Sequence, residues 1–184
     1  MVDWYDAQAF AAWEAARTGQ RWRLPGELAW EKAARGVDGR FHPWGDGFIP
    51  SWTSMRRSHR GRPGPTVVGA FPVDESPYGI RDLAGSMCEW CCDAFVETGP
   101  PVASARHRFA TQPGDSSVAM STAAAQSDGG DAAGQALDRV IRGGGWYSAA
   151  GYVRTTHRGR SSPRSRQSNL GFRLVRPYSR PLDS

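Results

Sequence analysis

From Asp3 to Thr18 the apolar residues Trp4, Ala7, Phe10, Ala11 and Ala15 recur at three- and four-residue steps, the spacing of one buried face on an α-helix. Gly19 stands where a left-handed residue would end that helix. A short extended piece, 21–24, leads to Pro25-Gly26-Glu27, where proline suits a helix start and the acidic side chain favours the positive end of the helix dipole. The spacing predicts a second helix to about Ala34, stopped at Gly36, with Leu28, Trp30, Ala33 and Ala34 on its periodic face. Beyond it the period changes. Phe41 to Gly47 reads as a tight aromatic turn, Ser54 to Pro65 as a solvated basic loop, and Val67 to Phe71 as a short strand. Met87 to Asp93 alternates as a strand with Met87, and Trp90 or Cys91, facing inward. Strand patterns return at 138–142 and 171–175.

Between these strands, about 97–137 is rich in Ala, Ser, Gly, Pro and Asp and nearly free of large apolar residues. Such a segment cannot bury enough surface to offset its ordering entropy, so it is expected to be a flexible insertion within one domain spanning 1–184. A hydrophobic content of 39% with eight Trp supports a folded core, while 22 Gly and 13 Pro require much turn and loop. The expected class is α+β, with two short helices, short antiparallel strands and long loops.

The net charge of +5 is mostly arginine in the C-terminal third, interleaved with Ser and Gly. That stretch lacks the stacked aromatics of a single-strand groove, so its arginines read as framework donors to carbonyls and carboxylates. Nucleic acid is not the expected partner. Cys88, Cys91 and Cys92 lie within five residues of one another; an odd, crowded set is no disulfide framework and points to a reducing compartment. No apolar run approaches the roughly 20 residues a membrane span needs, and the expectation is a soluble, cytoplasmic protein without a membrane partner.

Four separated motifs stand in one order: RLPGELAWEKAARG with PWGD, then YGIRDLAGSMCEW, then RVIRGGGW, then NLGFRLV. Together, over about 2–175, they resemble the formylglycine-generating enzyme, or sulfatase-modifying factor, family. The resemblance implies a variant of the C-type lectin fold. The family also carries β-strands before the first helix, and this sequence starts at that helix. Members that oxidise a sulfatase cysteine use two cysteines shortly after the glycine motif to bind copper and activate oxygen, and a soft thiolate pair suits Cu(I). Matched on Gly143-Gly144, those positions hold about Ser148 and Val153, so the resemblance implies neither copper nor formylglycine generation here. The three cysteines sit on the preceding motif and read as buried thiols.

The family's calcium site matches the segment 82–89. Carried over, Asp82 and Glu89 would supply side-chain oxygens, and Gly85 and Met87 backbone carbonyls, hard ligands suited to calcium. The alternative is that Asp82 caps a turn and Glu89 pairs with a framework arginine. Branches of the fold that use nonheme iron need a histidine-rich set, whereas His42, His59, His107 and His157 are scattered without metal spacing.

The stretch Arg142 to Arg176 mixes two kinds of position. Gly143 to Gly145, Trp146, Arg154, Arg158, Arg160, Pro163, Arg166 and the run Asn169 to Leu174 look like framework. Tyr147, Ser148, Ala149, Gly151, Tyr152, His157, Gly159, Ser161, Ser162, Arg164, Ser165 and Ser168 follow no period. This pattern, over about 146–169, is similar to that of the formylglycine-generating-enzyme-like variable proteins of diversity-generating retroelements, in which framework residues separate sites whose adenines are randomised. Tyr, Ser, Ala, Gly, His and Arg are all reached from an asparagine codon by changing adenines alone, and Gln167 is not. Tyrosines among small polar residues suit a binding face, as in antibody paratopes. The expected function is therefore a noncatalytic module that binds a protein or other macromolecular ligand. The alternative is a divergent metal- and oxygen-dependent oxidase of the same family.

Overall fold

The computed structural model describes residues 1–100 and 137–177. Helix α1, Trp4–Thr18, opens with a reciprocal cap: the Asp3 carboxylate accepts from the Asp6 N–H and the Asp6 carboxylate from the Asp3 N–H, which satisfies two donors left over at a helix start. Gly19 closes it in the left-handed conformation. Trp4, Ala7 and Ala11 are buried, and Trp4 Nε1 donates to the Cys91 carbonyl at 2.9 Å. Phe10 departs from the expected face: it is 47% exposed, edge-on to Phe172, because only the narrow stripe through Trp4, Ala7 and Ala11 meets the core.

Helix α2, Glu27–Arg35, ends at Gly36, φ 68°. Its buried face is Glu27, Trp30 and Ala34; the expected Leu28 and Ala33 are half-buried instead. The helix is turned this way because Glu27 meets two arginines inside the protein. Arg142, fully buried, donates from Nη1 to Glu27 at 3.3 Å and from Nη2 to Glu31 at 2.6 Å. Arg158 reaches the same Glu27 carboxylate through Nε and through Nη2, the latter at 3.0 Å.

The sheet has the order β3-β2-β1-β4, with β1 at Cys88–Ala94, β2 at Arg139–Arg142, β3 at Gly159–Ser161 and β4 at Leu170–Gly171. The β1–β2 and β2–β3 pairs are antiparallel, and β4 runs parallel to β1. Trp90 and Cys91 are both fully buried, since the β1–β2 register shifts between Trp90 and Ala94 and breaks the alternation. Trp4, Ala7, Leu24, Trp90 and Leu170 form one part of the core, and Trp30, Ala34, Leu83, Cys91 and Val140 another.

Several expectations are corrected. Val67 to Phe71 is a turn, not a strand: Gly69 has φ 75° and donates its N–H to Asp82, leaving Val67 and Val68 at 79% and 92% exposure. The basic loop is solvated only in part, because Ser54 and Met55 are buried and Met55 packs with Ala84 and Val153. In the C-terminal run, Leu170 and Gly171 pair with β1, while Val175 makes an isolated bridge to Arg23. The expected insertion at 97–137 lies almost wholly outside the described residues. No helix among the described residues is long and apolar enough to cross a membrane.

Candidate functional site

The chain leaves β2 through Gly143 to Gly145 and passes into a 3-10 helix at Ala150–Val153. Gly144, φ 72°, lies against that helix so closely that an added Cβ would sit 2.7 Å from the Tyr152 carbonyl oxygen. Val153 is fully buried and packs with Met55 and Ala84. Ser148 Oγ accepts from the Gly145 N–H at 3.0 Å, and the Ser148 N–H donates to the Gly145 carbonyl at 2.8 Å. Arg56 holds the loop from the other side: its N–H donates to the Ser148 carbonyl and its Nε to the Tyr147 carbonyl, each at 3.1 Å. From beneath, Arg142 Nη2 donates to the Thr155 carbonyl at 2.9 Å.

On this pinned backbone Tyr147 and Tyr152 remain 40% and 54% exposed. Tyr152 meets the His157 ring edge-on at 4.8 Å. Burial, with the Arg142 charge behind it, lowers the His157 pKa below the ordinary histidine value, so the ring is neutral at neutral pH. Phe41 extends the same surface: it is 52% exposed, its carbonyl accepts from the Thr155 N–H at 2.9 Å, and the Arg154 guanidinium lies 5.4 Å over its ring. Behind it Trp44 stacks on His42 and meets Trp52 edge-on. Sequence reasoning did not join Phe41, Trp44 or Arg56 to the tyrosines. The link is the 3-10 helix Ala150–Val153, whose Val153 and Ala150 share a cluster with Trp44 and Met55.

The twelve irregular positions do not form one continuous set. Tyr147, Ala149, Gly151 and Tyr152 are exposed, with Ser148 and His157 half-buried beside them. An added Cβ at Gly151 would meet nothing within 4 Å. Gly159 and Ser161 belong to the framework instead, because both lie in β3: Ser161 is 8% exposed and pairs with Arg139, and a Cβ at Gly159 would come 2.8 Å from Ile141 Cγ1. Ser162, Arg164 and Ser165 flank the start of α1, where the Trp4 N–H donates to the Pro163 carbonyl and Arg164 lies over Tyr5. Ser168 lines a cavity of about 560 Å³ along β4, together with Asp82, Met87, Glu89 and Arg173.

Three of the candidate calcium residues, Asp82, Met87 and Glu89, line that cavity, and Gly85 does not. Asp82 has φ 55°, and its Oδ2 accepts from the Gly69 N–H at 2.8 Å. Gly85, φ 74°, is pressed onto the Ser54 carbonyl, which an added Cβ would overlap at 2.1 Å. Among the described residues no hydrogen bond reaches the Gly85 or Met87 carbonyl. Glu89 accepts from Trp30 Nε1 at 2.7 Å, and both of its oxygens accept from Arg173 at 2.6 Å. A carboxylate offers about four lone-pair directions, so Glu89 keeps one while it pairs with Arg173. Asp82 thus caps a turn and Glu89 pairs with a framework arginine; the oxygens left open are of the hard type calcium takes, and Asp82, Gly85, Met87 and Glu89 are the residues that would hold it.

The cysteines are set apart from the loop. Burial pushes the Cys88 thiol up to about 11 and raises Cys91, fully buried, well above the ordinary thiol value. Both are protonated at neutral pH and are therefore weak nucleophiles.

Fold and loop define a C-type-lectin-like domain with a solvent-facing, firmly held segment after β2. Residues 1–178 match the family model of the sulfatase-modifying factor enzyme 1-like domain, and the chain belongs to that family. It is 31% identical to inactive C-alpha-formylglycine-generating enzyme 2 of Mus musculus, over 99% of this chain and 50% of that one. It is 32% identical to hercynine oxygenase of Mycolicibacterium smegmatis, over 95% of this chain and 36% of that one. The chain thus spans half or less of these relatives. Among solved structures, Treponema denticola variable protein 1 shares the fold with a TM-score of 0.65 at 22% identity, over 96% of this chain and 70% of that one.

Proposed function

We propose that this domain is a noncatalytic recognition module whose contact surface centres on Tyr147 and Tyr152, with a diversity-generating retroelement as the source of variation at its exposed positions. The observation that carries this reading is the division of labour in one loop. Gly144, Val153 and the Arg142 contact to Thr155 hold the backbone from inside, while the intervening side chains at 147, 149, 151 and 152 face solvent. Variation at those four positions leaves the core untouched. Ser148 and Val153 stand where oxidases of the family carry their cysteine pair, and the buried Val153 side chain has no access to a substrate. A calcium ion held by Asp82, Gly85, Met87 and Glu89 belongs to the same proposal as a structural group that stiffens the loop between 82 and 89.

The test uses peptide ligands selected on the wild-type protein from a random displayed library. The doubly substituted Tyr147→Ala/Tyr152→Ala protein should lose their binding while melting like the wild type; unchanged binding contradicts the proposal. The similarity to an oxygenase supports the oxidase as a second reading. Stoichiometric copper or iron in the purified protein, together with oxygen uptake, would establish that reading and remove the first.

A further inference from the structure

The charge carried by the segments around this loop is of one sign. Several exposed or half-buried arginines elsewhere have a carboxylate partner, Arg17 with Glu14, Arg40 with Asp38, Arg81 with Glu75, Arg158 with Glu27 and Arg166 with Asp3, at 2.5 to 2.9 Å, whereas Arg164 lies over Tyr5 and Arg176 bonds the Gln20 amide. Arg160 also has Glu97, at 3.7 Å. Arg57, Arg60, Arg62 and Arg154 are exposed, and no carboxylate of the described residues pairs with any of them.

Arg57 and Arg154 lie next to residues that contact the tyrosine loop, and Arg60 and Arg62 follow Arg57 within five positions of the chain. Arg57 belongs to the 3-10 helix Arg56–Ser58, whose first residue bonds the Tyr147 and Ser148 carbonyls. Arg154 directly follows Val153, over Phe41. The two chain segments that build the face are free of acid over long runs: 47–73 contains no Asp or Glu, and neither does 139–182. The nearest acidic residue before the first run, Asp46, spends one oxygen on the Phe41 N–H at 2.9 Å.

Resting on the recognition reading above, we infer that the partner of this face is acidic: a protein segment rich in Asp and Glu, received by Arg57, Arg60, Arg62 and Arg154 around Tyr147 and Tyr152. A guanidinium offers a planar fork that fits a carboxylate with two parallel hydrogen bonds. An exposed guanidinium without a carboxylate partner has no ion pair to break before making them, and like-sign charges on one face steer an oppositely charged partner and reject others. The tyrosine hydroxyls offer further donors to such a segment. A nucleic-acid strand fits less well, because it needs open aromatic faces for successive bases. Here the Phe41 face is covered by Arg154, while Tyr147 and Tyr152 sit in separate T-shaped pairs with Trp146 and His157.

The experiment titrates the full chain into labelled oligo-glutamate, with oligo-thymidylate of similar charge as the competitor class, by fluorescence anisotropy. Oligo-glutamate is expected to bind, to weaken about tenfold between about 50 and about 300 mM NaCl as screening shortens the reach of the charges, and to bind more tightly than the oligonucleotide. The triple variant Arg57→Gln/Arg60→Gln/Arg62→Gln should lose about fivefold or more of this affinity at unchanged thermal stability. Tighter oligonucleotide binding, or affinity unaltered in the triple variant, overturns the inference. Loss in the arginine variant with none in Tyr147→Ala/Tyr152→Ala would keep the acidic partner and overturn the tyrosine-centred reading.

Discussion

Replacing Glu27 by Gln tests whether the internal ion network holds the loop that carries the tyrosines. Glu27 is 2% exposed and its carboxylate faces the fully buried Arg142 and the partly buried Arg158. Gln keeps the shape and one acceptor, removes the negative charge, and turns an N–H₂ toward a guanidinium. Breaking a buried pair by altering one partner costs about 3–5 kcal/mol, because the other charge is left uncompensated. Arg142 retains Glu31 at 2.6 Å, so the expected loss is at the lower end, about 3 kcal/mol, or about 6–12 °C in Tm for a domain of this size. Glu31→Gln is the internal comparison. Glu31 is 24% exposed on its side chain and bonds Arg142 by one nitrogen, so water takes over part of its role and the loss should be about 1 kcal/mol. The assay is urea unfolding followed by tryptophan fluorescence and by circular dichroism. A Glu27→Gln midpoint within error of the wild type, or an inverted order of the two variants, would refute the claim that this network anchors the loop.

Three further outcomes follow from the same geometry. Gly85→Ala should fail to fold or lose about 4 kcal/mol or more, since the new Cβ would overlap the Ser54 carbonyl on a left-handed backbone; near-normal yield and Tm would contradict that packing. Cys88 should react with iodoacetamide at pH 8 about a hundredfold more slowly in the native protein than after unfolding, because a pKa raised from 9.0 to about 11 leaves that much less thiolate; mass spectrometry showing equal rates would remove the buried-thiol assignment. Calcium at about a hundred times its Kd should raise stability by about 2.7 kcal/mol relative to protein in chelator, and an unchanged melting curve would remove the ion from the proposal.

The helices and the sheet strands at 88–94 and 139–142 were legible because their signals are local: three- and four-residue spacing in α1, glycine stops at Gly19 and Gly36, and β-rich runs around Trp90 and Val140. The buried role of Glu27 was not legible, since an acidic residue in a first helical turn already has a sufficient local reason in the dipole. Its arginine partners lie more than a hundred residues away. Val67 and Val68 misled for the opposite reason: β-branched residues signal a strand, but Gly69 and the Asp82 side chain close a turn there. At the recognition surface, composition picked out Tyr147 and Tyr152. Strand pairing, which composition cannot see, withdrew Gly159 and Ser161, and long-range hydrogen bonds to the loop brought in Phe41 and Arg56 from another segment.

The most direct test of the division between a held backbone and a variable face is the sequence of the locus across sister isolates. The account predicts a near-copy of the segment encoding 146–170 beside a reverse transcriptase. Differences should fall only at its adenines and accumulate at the codons for Tyr147, Ala149, Gly151 and Tyr152, with Gly144, Val153, Gly159 and Ser161 fixed. An invariant segment with no such copy, or substitutions spread equally over the buried and exposed positions, would contradict it.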